Sequence, residues 1–98
     1  MLEHARTGRW SKIRTRFLEE NHPDELARMQ KDGTLDDYMN RIEDEYNERY
    51  DRMQQEQLDK TQLEQRYSRK EINWQTYVGE YNQIRATAAE ILTHELSA

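Results

Sequence analysis

Residues Trp74–Leu96 read WQTYVGEYNQIRATAAEILTHEL. Within them Trp74, Tyr77, Tyr81, Ile84, Ala88 and Ile91 alternate steps of three and four, which is the spacing of one face of an α-helix. Val78, Leu92 and Leu96 widen that stripe, while Gln75, Glu80, Gln83, Thr87 and Glu90 take the other faces. The pattern predicts an amphipathic helix that buries about a third of its circumference. A stripe of this kind needs an apolar surface to pack against.

The upstream chain offers that surface. Leu35, Met39, Ile42, Tyr46, Tyr50 and Met53 recur at helical spacing, with Thr34 as the expected N-cap and Asp36 and Asp37 in the first turn, where the helix dipole favours acids. Apolar periodicity fades beyond Met53, so this helix is expected over about 35–58. Thr61 with Glu64 and Ser68 with Glu71 fit the capping-box pattern. They predict a short helical piece at about 62–67 and a start for the last helix near 69. Nearer the N-terminus, Trp10, Ile13, Phe17 and Leu18 predict a helix over about 9–21. His22-Pro23 ends it and opens a second over about 23–31, because proline disfavours helical geometry in the residue before it and suits the first helical position. Gly33 suits the left-handed position that closes that second helix. The expected fold is all-α: a small bundle or helical hairpin of two long helices (about 35–58 and 69–96) plus a shorter N-terminal pair (about 9–21 and 23–31). It forms one domain over residues 1–98, with residues 1–8 as a flexible arm.

Of the 98 residues, 34% are apolar and 36% charged. Burial then only narrowly exceeds the entropy of ordering the chain, and periodicity is what argues for order. A narrow core completed by a second copy or a partner is the natural consequence, so a homodimer is an expectation. The chain has no cysteine, which removes disulfides and thiolate metal sites. No apolar run approaches the ~18–20 residues that cross a bilayer, and the first residues lack the apolar core of a signal peptide. A cytoplasmic setting without membrane contact is expected.

The net charge of −5 hides an asymmetry: residues 1–16 carry +4, residues 17–60 carry −8 and residues 61–98 carry −1. Arg9, Lys12 and Arg16 share one face of the first helix at i, i+3 and i+7. With Arg14 they are the candidate nucleic-acid contacts, set against a solvated face whose bases pair with the acidic middle of the same fold. Asp36, Asp37, Glu43, Asp44, Glu48 and Asp51 give the long middle helix a carboxylate surface and are the candidate partner contacts. They can mimic nucleic-acid phosphates towards a basic groove; the plainer reading is a solubilising face, interrupted by Arg41, Arg49 and Arg52.

Reaction chemistry finds no foothold in the motifs. His4, His22 and His94 are far apart. Glu90 and His94 share a face but lack the Glu-x-x-His spacing of helix-bundle metal sites, and the three isolated glycines form no phosphate loop. Ser11, Ser68 and Ser97 lack a nucleophile elbow. Neither a cofactor nor a metal is expected, and the chain reads as non-enzymatic.

Gly8–Pro23 (GRWSKIRTRFLEENHP), followed by Gly33-Thr34-Leu35, resembles the N-terminal half of the transposon-encoded TnpV-type proteins. Tyr77–Arg85 (YVGEYNQIR), with Ala88, Glu90, Ile91, Glu95 and Leu96 behind it, is similar to that family's C-terminal signature. Tyr77 stands where the family usually has tryptophan, Tyr81 replaces a methionine, Gln83 replaces the second of two asparagines, and residues 54–75 diverge. The resemblance implies a small accessory protein of a bacterial mobile element and transfers no catalytic residue. Beside the aromatic stripe, Asn82 is expected to satisfy a neighbouring backbone and Arg85 to pair with acids of the third helix, or both to be plain polar packing.

Three functional expectations result. The leading one is a non-catalytic interaction protein acting by protein–protein contact. The others are an anti-CRISPR-like inhibitor that sets the acidic third helix in a nuclease channel, and a DNA-binding accessory that uses the basic first helix.

Overall fold

The computed structural model describes residues 8–98. The expected arm therefore lies outside the described residues except for Gly8, which is the N-cap of the first helix. Five helices succeed one another in order: α1 (Arg9–Asn21), α2 (Pro23–Asp32), α3 (Leu35–Thr61), α4 (Leu63–Ser68) and α5 (Trp74–Leu96). The described residues contain no strand, and the architecture is all-α as the periodicities require.

The first two boundaries fall where the turn chemistry puts them. His22 closes α1 by donating its N–H to the Leu18 carbonyl at 2.8 Å, and Pro23 occupies the first turn of α2. Gly33 takes the left-handed conformation, φ 75°, and the Thr34 N–H then reaches the Met29 carbonyl at 3.0 Å, which satisfies an orphan carbonyl of α2. Thr34 stands at the N-cap of α3, but its side chain makes no capping bond.

Downstream, two expected boundaries move. α3 runs to Thr61, and Thr61 does not cap α4: its hydroxyl donates back to the Gln57 carbonyl at 2.8 Å, the competing local bond open to a threonine in a last helical turn. Gln62, left-handed at φ 53°, separates α3 from α4. Ser68 ends α4, and Glu71 pairs with Arg69 at 2.6 Å. α5 starts at Trp74, later than the expected 69, because Lys70 is left-handed at φ 61° and interrupts the helix. Asn73 then caps it, its amide oxygen accepting the Thr76 N–H at 2.8 Å.

The molecule measures 57 × 25 × 19 Å with a radius of gyration of 17.5 Å, against about 13 Å for a compact chain of this length. The length comes from α3 and α5, which run antiparallel: Tyr46 meets Glu95 near one end of the pairing and Glu64, just past α3, meets Tyr77 near the other. α1 crosses both. Trp10, Tyr46, Leu92 and Leu96 form the central core cluster, with Ile13, Ile42, Tyr50, Met53 and Ala89 packed on it. Leu18, Leu26, Met29, Leu35 and Met39 form a second cluster under α2, with Phe17 and Tyr38 against it. The α3 stripe thus faces inward along its whole length.

The α5 stripe only partly does. Ala88 is buried, and Tyr77, Tyr81 and Ile84 are half-buried, but Trp74 is 60% and Ile91 44% exposed, whereas Leu92 and Leu96 are sealed. Near the C-terminus α1 and α3 both press on α5, so the buried line becomes Ala88, Leu92, Leu96 at steps of four. The alternating stripe drifts out of the contact at its two ends.

Candidate functional site

Three surfaces carry the side chains that can meet another molecule, one on α3, one on α1 and one along α4 and α5. The acidic one lies on α3. Asp37, Asp44, Glu48 and Asp51 are exposed and fall on one face at steps of seven, four and three. Glu48 is engaged by Arg52 at 2.9 Å. Asp36 is half-buried. Glu43 is turned towards α1 instead, where its Oε1 accepts the Ser11 N–H at 2.9 Å and caps that helix from 32 residues away. A Cβ on Gly8 would collide with the same carboxylate, so a side chain here would push the Glu43 cap aside; the demand on Gly8 is for space and not for its backbone angles. Asn47 bridges this cap to the core, accepting from the Trp10 indole at 2.9 Å and donating to Glu43 at 3.3 Å.

The basic surface lies on α1. Arg14 points away from the other three, donating to the Tyr38 hydroxyl and the Leu96 carbonyl at 3.0 Å each. Arg9, Lys12 and Arg16 are exposed and line one surface depression with Thr93 and Ser97 of α5. Among the described residues none of the three makes an ion pair with the acids of α3. Arg9 instead sets its guanidinium carbon over the Trp10 and Tyr50 rings, 5.2 and 5.1 Å from their centres. Arg85, exposed on α5, reaches the Tyr50 hydroxyl and not a carboxylate. Burial pushes the Tyr50 phenol up, and Arg9 and Arg85 together more than reverse this, so its pKa is lowered.

The third surface is apolar and aromatic. Tyr67, at the end of α4, contacts Trp74 and Tyr77 with ring centres 5.8 and 4.8 Å apart; Trp74 stacks on Tyr77 at 5.5 Å, and Tyr81 continues the row at 6.1 Å. The Tyr77 hydroxyl donates to Glu64 at 2.5 Å, and that bond, with burial behind it, pushes the phenol up to about 12. Further along, a depression of about 350 Å³ between α3 and α5 is lined by the apolar Met53, Ile84, Ala88 and Ile91 and by the polar Glu56, Gln57, Gln83 and Thr87. Asn82 is exposed beside the aromatic row.

Polar links tie these surfaces together around the apolar core. Arg49 donates twice to Glu95 at 2.6 Å, and this guanidinium holds the Glu95 carboxyl below the usual carboxylate range. Burial raises the Tyr46 phenol and the adjacent Glu95 charge raises it further. Arg66 pairs with Glu80 at 2.5 Å and ties α4 to α5.

Tyr67, the Glu43 cap and the Arg49–Glu95 pair escape sequence reasoning. Tyr67 does stand seven residues before Trp74, a heptad spacing that is a usable signal; the other two join residues too distant for any local pattern. Among the described residues no group of His, Asp or Glu side chains is placed to hold a metal ion, and no helix is long and apolar enough to cross a membrane. The arrangement is suited to recognition: a charged strip, a carboxylate face and an aromatic row on a helical scaffold. A family model described as transposon-encoded protein TnpV matches residues 2–97. No curated protein and no solved structure matches the chain.

Proposed function

The chain belongs to the family of transposon-encoded TnpV proteins, and from that premise we propose that it is a non-catalytic interaction protein whose C-terminal helix docks a partner protein. The observation that carries this reading is the exposure of large apolar side chains on one helix: Trp74 is 60% and Ile91 44% exposed. Trp74 adjoins the exposed Tyr67 and the half-buried Tyr77 and Tyr81 in one row of rings, and contiguous exposed apolar patches of this kind mark contact surfaces, with aromatic anchors dominating binding energy at protein interfaces. The partner is a protein presenting an apolar-faced helix, which fits the trough between α3 and α5.

The carboxylates of α3 support an inhibitor that mimics nucleic acid less well. Glu43 caps α1 and Glu48 is paired with Arg52, so of the six candidate acids Asp37, Asp44 and Asp51 are the exposed ones left to a partner, a sparse row beside what a basic channel expects of a phosphate backbone. Bacterial cytoplasm is the setting in which we place the protein.

The test is co-purification from nuclease-treated bacterial lysate with the wild-type chain and with W74S/I91S, followed by mass spectrometry. A protein retained by the wild type and lost with W74S/I91S supports the reading. Equal retention by both removes it. Light scattering on the purified chain separates the remaining case: a dimer that W74S/I91S converts to monomer identifies the partner as a second copy.

A further inference from the structure

Four cations stand together on one side of the molecule without carboxylate partners. Arg9, Lys12 and Arg16 climb α1 over about 10 Å, at ~1.5 Å per residue, and line a depression of about 550 Å³ with the hydroxyl-bearing Thr93 and Ser97, Glu20 being the one carboxylate on its lining. Arg85 extends the row onto α5, since it and Arg9 approach the same Tyr50 hydroxyl. All four are exposed, and no carboxylate among the described residues pairs with any of them. In a chain of net charge −5, leaving four cations unpaired sets local charge against the global balance. A helix C-terminus would ordinarily repel anions from such a place. Arg14 covers this one by donating to the Leu96 and Ala98 carbonyls.

We propose that Arg9, Lys12, Arg16 and Arg85 form a docking strip for the phosphodiester backbone of duplex nucleic acid, independent of the apolar face of α5. Three of the four are arginines, whose planar fork matches phosphate oxygens. Apolar side chains that could enter a bilayer are turned inward on this face: Trp10 and Leu18 are buried, and Ile13 and Phe17 half-buried. An anionic membrane is the poorer fit for that reason. Single strands are held largely by base stacking on exposed rings, and the exposed rings Tyr67 and Trp74 lie with the aromatic row on α4 and the start of α5, away from α1. Recognition here is of charge and spacing, and is independent of base sequence.

The test is fluorescence anisotropy of a labelled mixed-sequence duplex of about 20 base pairs, at 50 and 200 mM salt. Neutralising about four phosphates gives a logarithmic salt slope near −3.6, so affinity should fall about 150-fold between the two salts. K12Q/R16Q, both exposed and checked for folding by circular dichroism, should lower that fall to about 12-fold, about 0.9 of a unit of slope per lost contact. R41Q/R52Q makes the same charge change on the acidic face of α3 and should leave the slope of the wild type. No binding even at about 20 mM salt, where such contacts are strongest, overturns the proposal. So does an unchanged slope in K12Q/R16Q, equal losses in the two double variants, or retention on phosphatidylserine vesicles with none on the duplex.

Discussion

Arg49 grips both carboxylate oxygens of Glu95 at 2.6 Å, and the Tyr46 hydroxyl adds a third, longer bond of 3.4 Å. This joins the middle of α3 to the last turn of α5 across 46 residues of sequence. Both partners keep solvent access, 31% and 41%, so the pair contributes at the upper end of what exposed pairs do, about 0.5–1 kcal/mol. Glu95→Gln should destabilise by that amount at neutral pH. Glu95 has a depressed folded-state pKa, so its contribution is present above the unfolded carboxyl pKa near 4.3 and is lost as pH falls through the lower folded value. Thermal melts should therefore show wild type and E95Q converging as pH drops below about 4.3, where the unfolded carboxyl begins to protonate.

Glu43 should matter more than its place on a charged helix suggests. Glu43→Ala removes the carboxylate bond to the Ser11 N–H and should cost about 1–2 kcal/mol, the range for a lost N-cap. Gly8→Ala should cost a similar amount by a different route, because its methyl occupies the space of the Glu43 carboxylate. Urea melts of E43A, G8A and the double variant test this. If both act through one cap, the double variant is no worse than about the larger single loss.

The two tryptophans should behave as opposites. Trp10 is fully buried and Trp74 is 60% exposed. Trp10→Ala should cost about 3–5 kcal/mol, a large share of the ~5–15 kcal/mol that holds a domain together. Trp74→Ala should stay within about 1 kcal/mol, and acrylamide should quench Trp74 emission in the native protein while leaving Trp10 protected. The same contrast applies to neighbours on α5: Leu92→Ala should cost about 2–5 kcal/mol and Ile91→Ala less than about 1, since Leu92 is sealed and Ile91 is open.

Tyr77 should titrate late. Glu64 accepts its proton at 2.5 Å, and the phenol is pushed up to about 12. A raised folded-state value means that this bond's contribution is complete below the unfolded tyrosine pKa of about 10 and is lost as pH rises towards the folded one. Absorbance titration should find one tyrosine ionising near 12, and Glu64→Gln should return it towards the rest.

Much of the fold was legible in the residues, and the reasons for the remainder are physical. The α3 stripe from Leu35 to Met53 names its buried face correctly because α1, α2 and α5 all pack on that one side. The α5 stripe misleads at Ile91 and Trp74, since period alone cannot say how far a packing partner extends or how it is rotated. Thr61 and Ser68 satisfy the capping-box spacing as well as any true cap. Only the left-handed backbone at Gln62 and Lys70 decides against them and hands the role to Asn73. For the candidate surfaces, the run of bases on α1 could be read directly. That Arg14 would turn inward while Arg85 joined the row from another helix depends on contacts between residues far apart in the chain, 82 residues in the case of Arg14 and Leu96.

Beyond Met53 the molecule holds together without either apolar cluster. Leu63 is sealed there, but otherwise the joint is carried by the partly exposed rings of Tyr67, Trp74 and Tyr77 and by the pairs Arg66–Glu80 and Tyr77–Glu64. Such bonds open to water far more readily than a packed core. Backbone amides of α4 and the first turns of α5 should therefore exchange with deuterium well before those around Trp10 and Leu92, giving one rod with an inert end and a yielding end, and a partner seated on the aromatic row would be felt first as a slowing of that exchange.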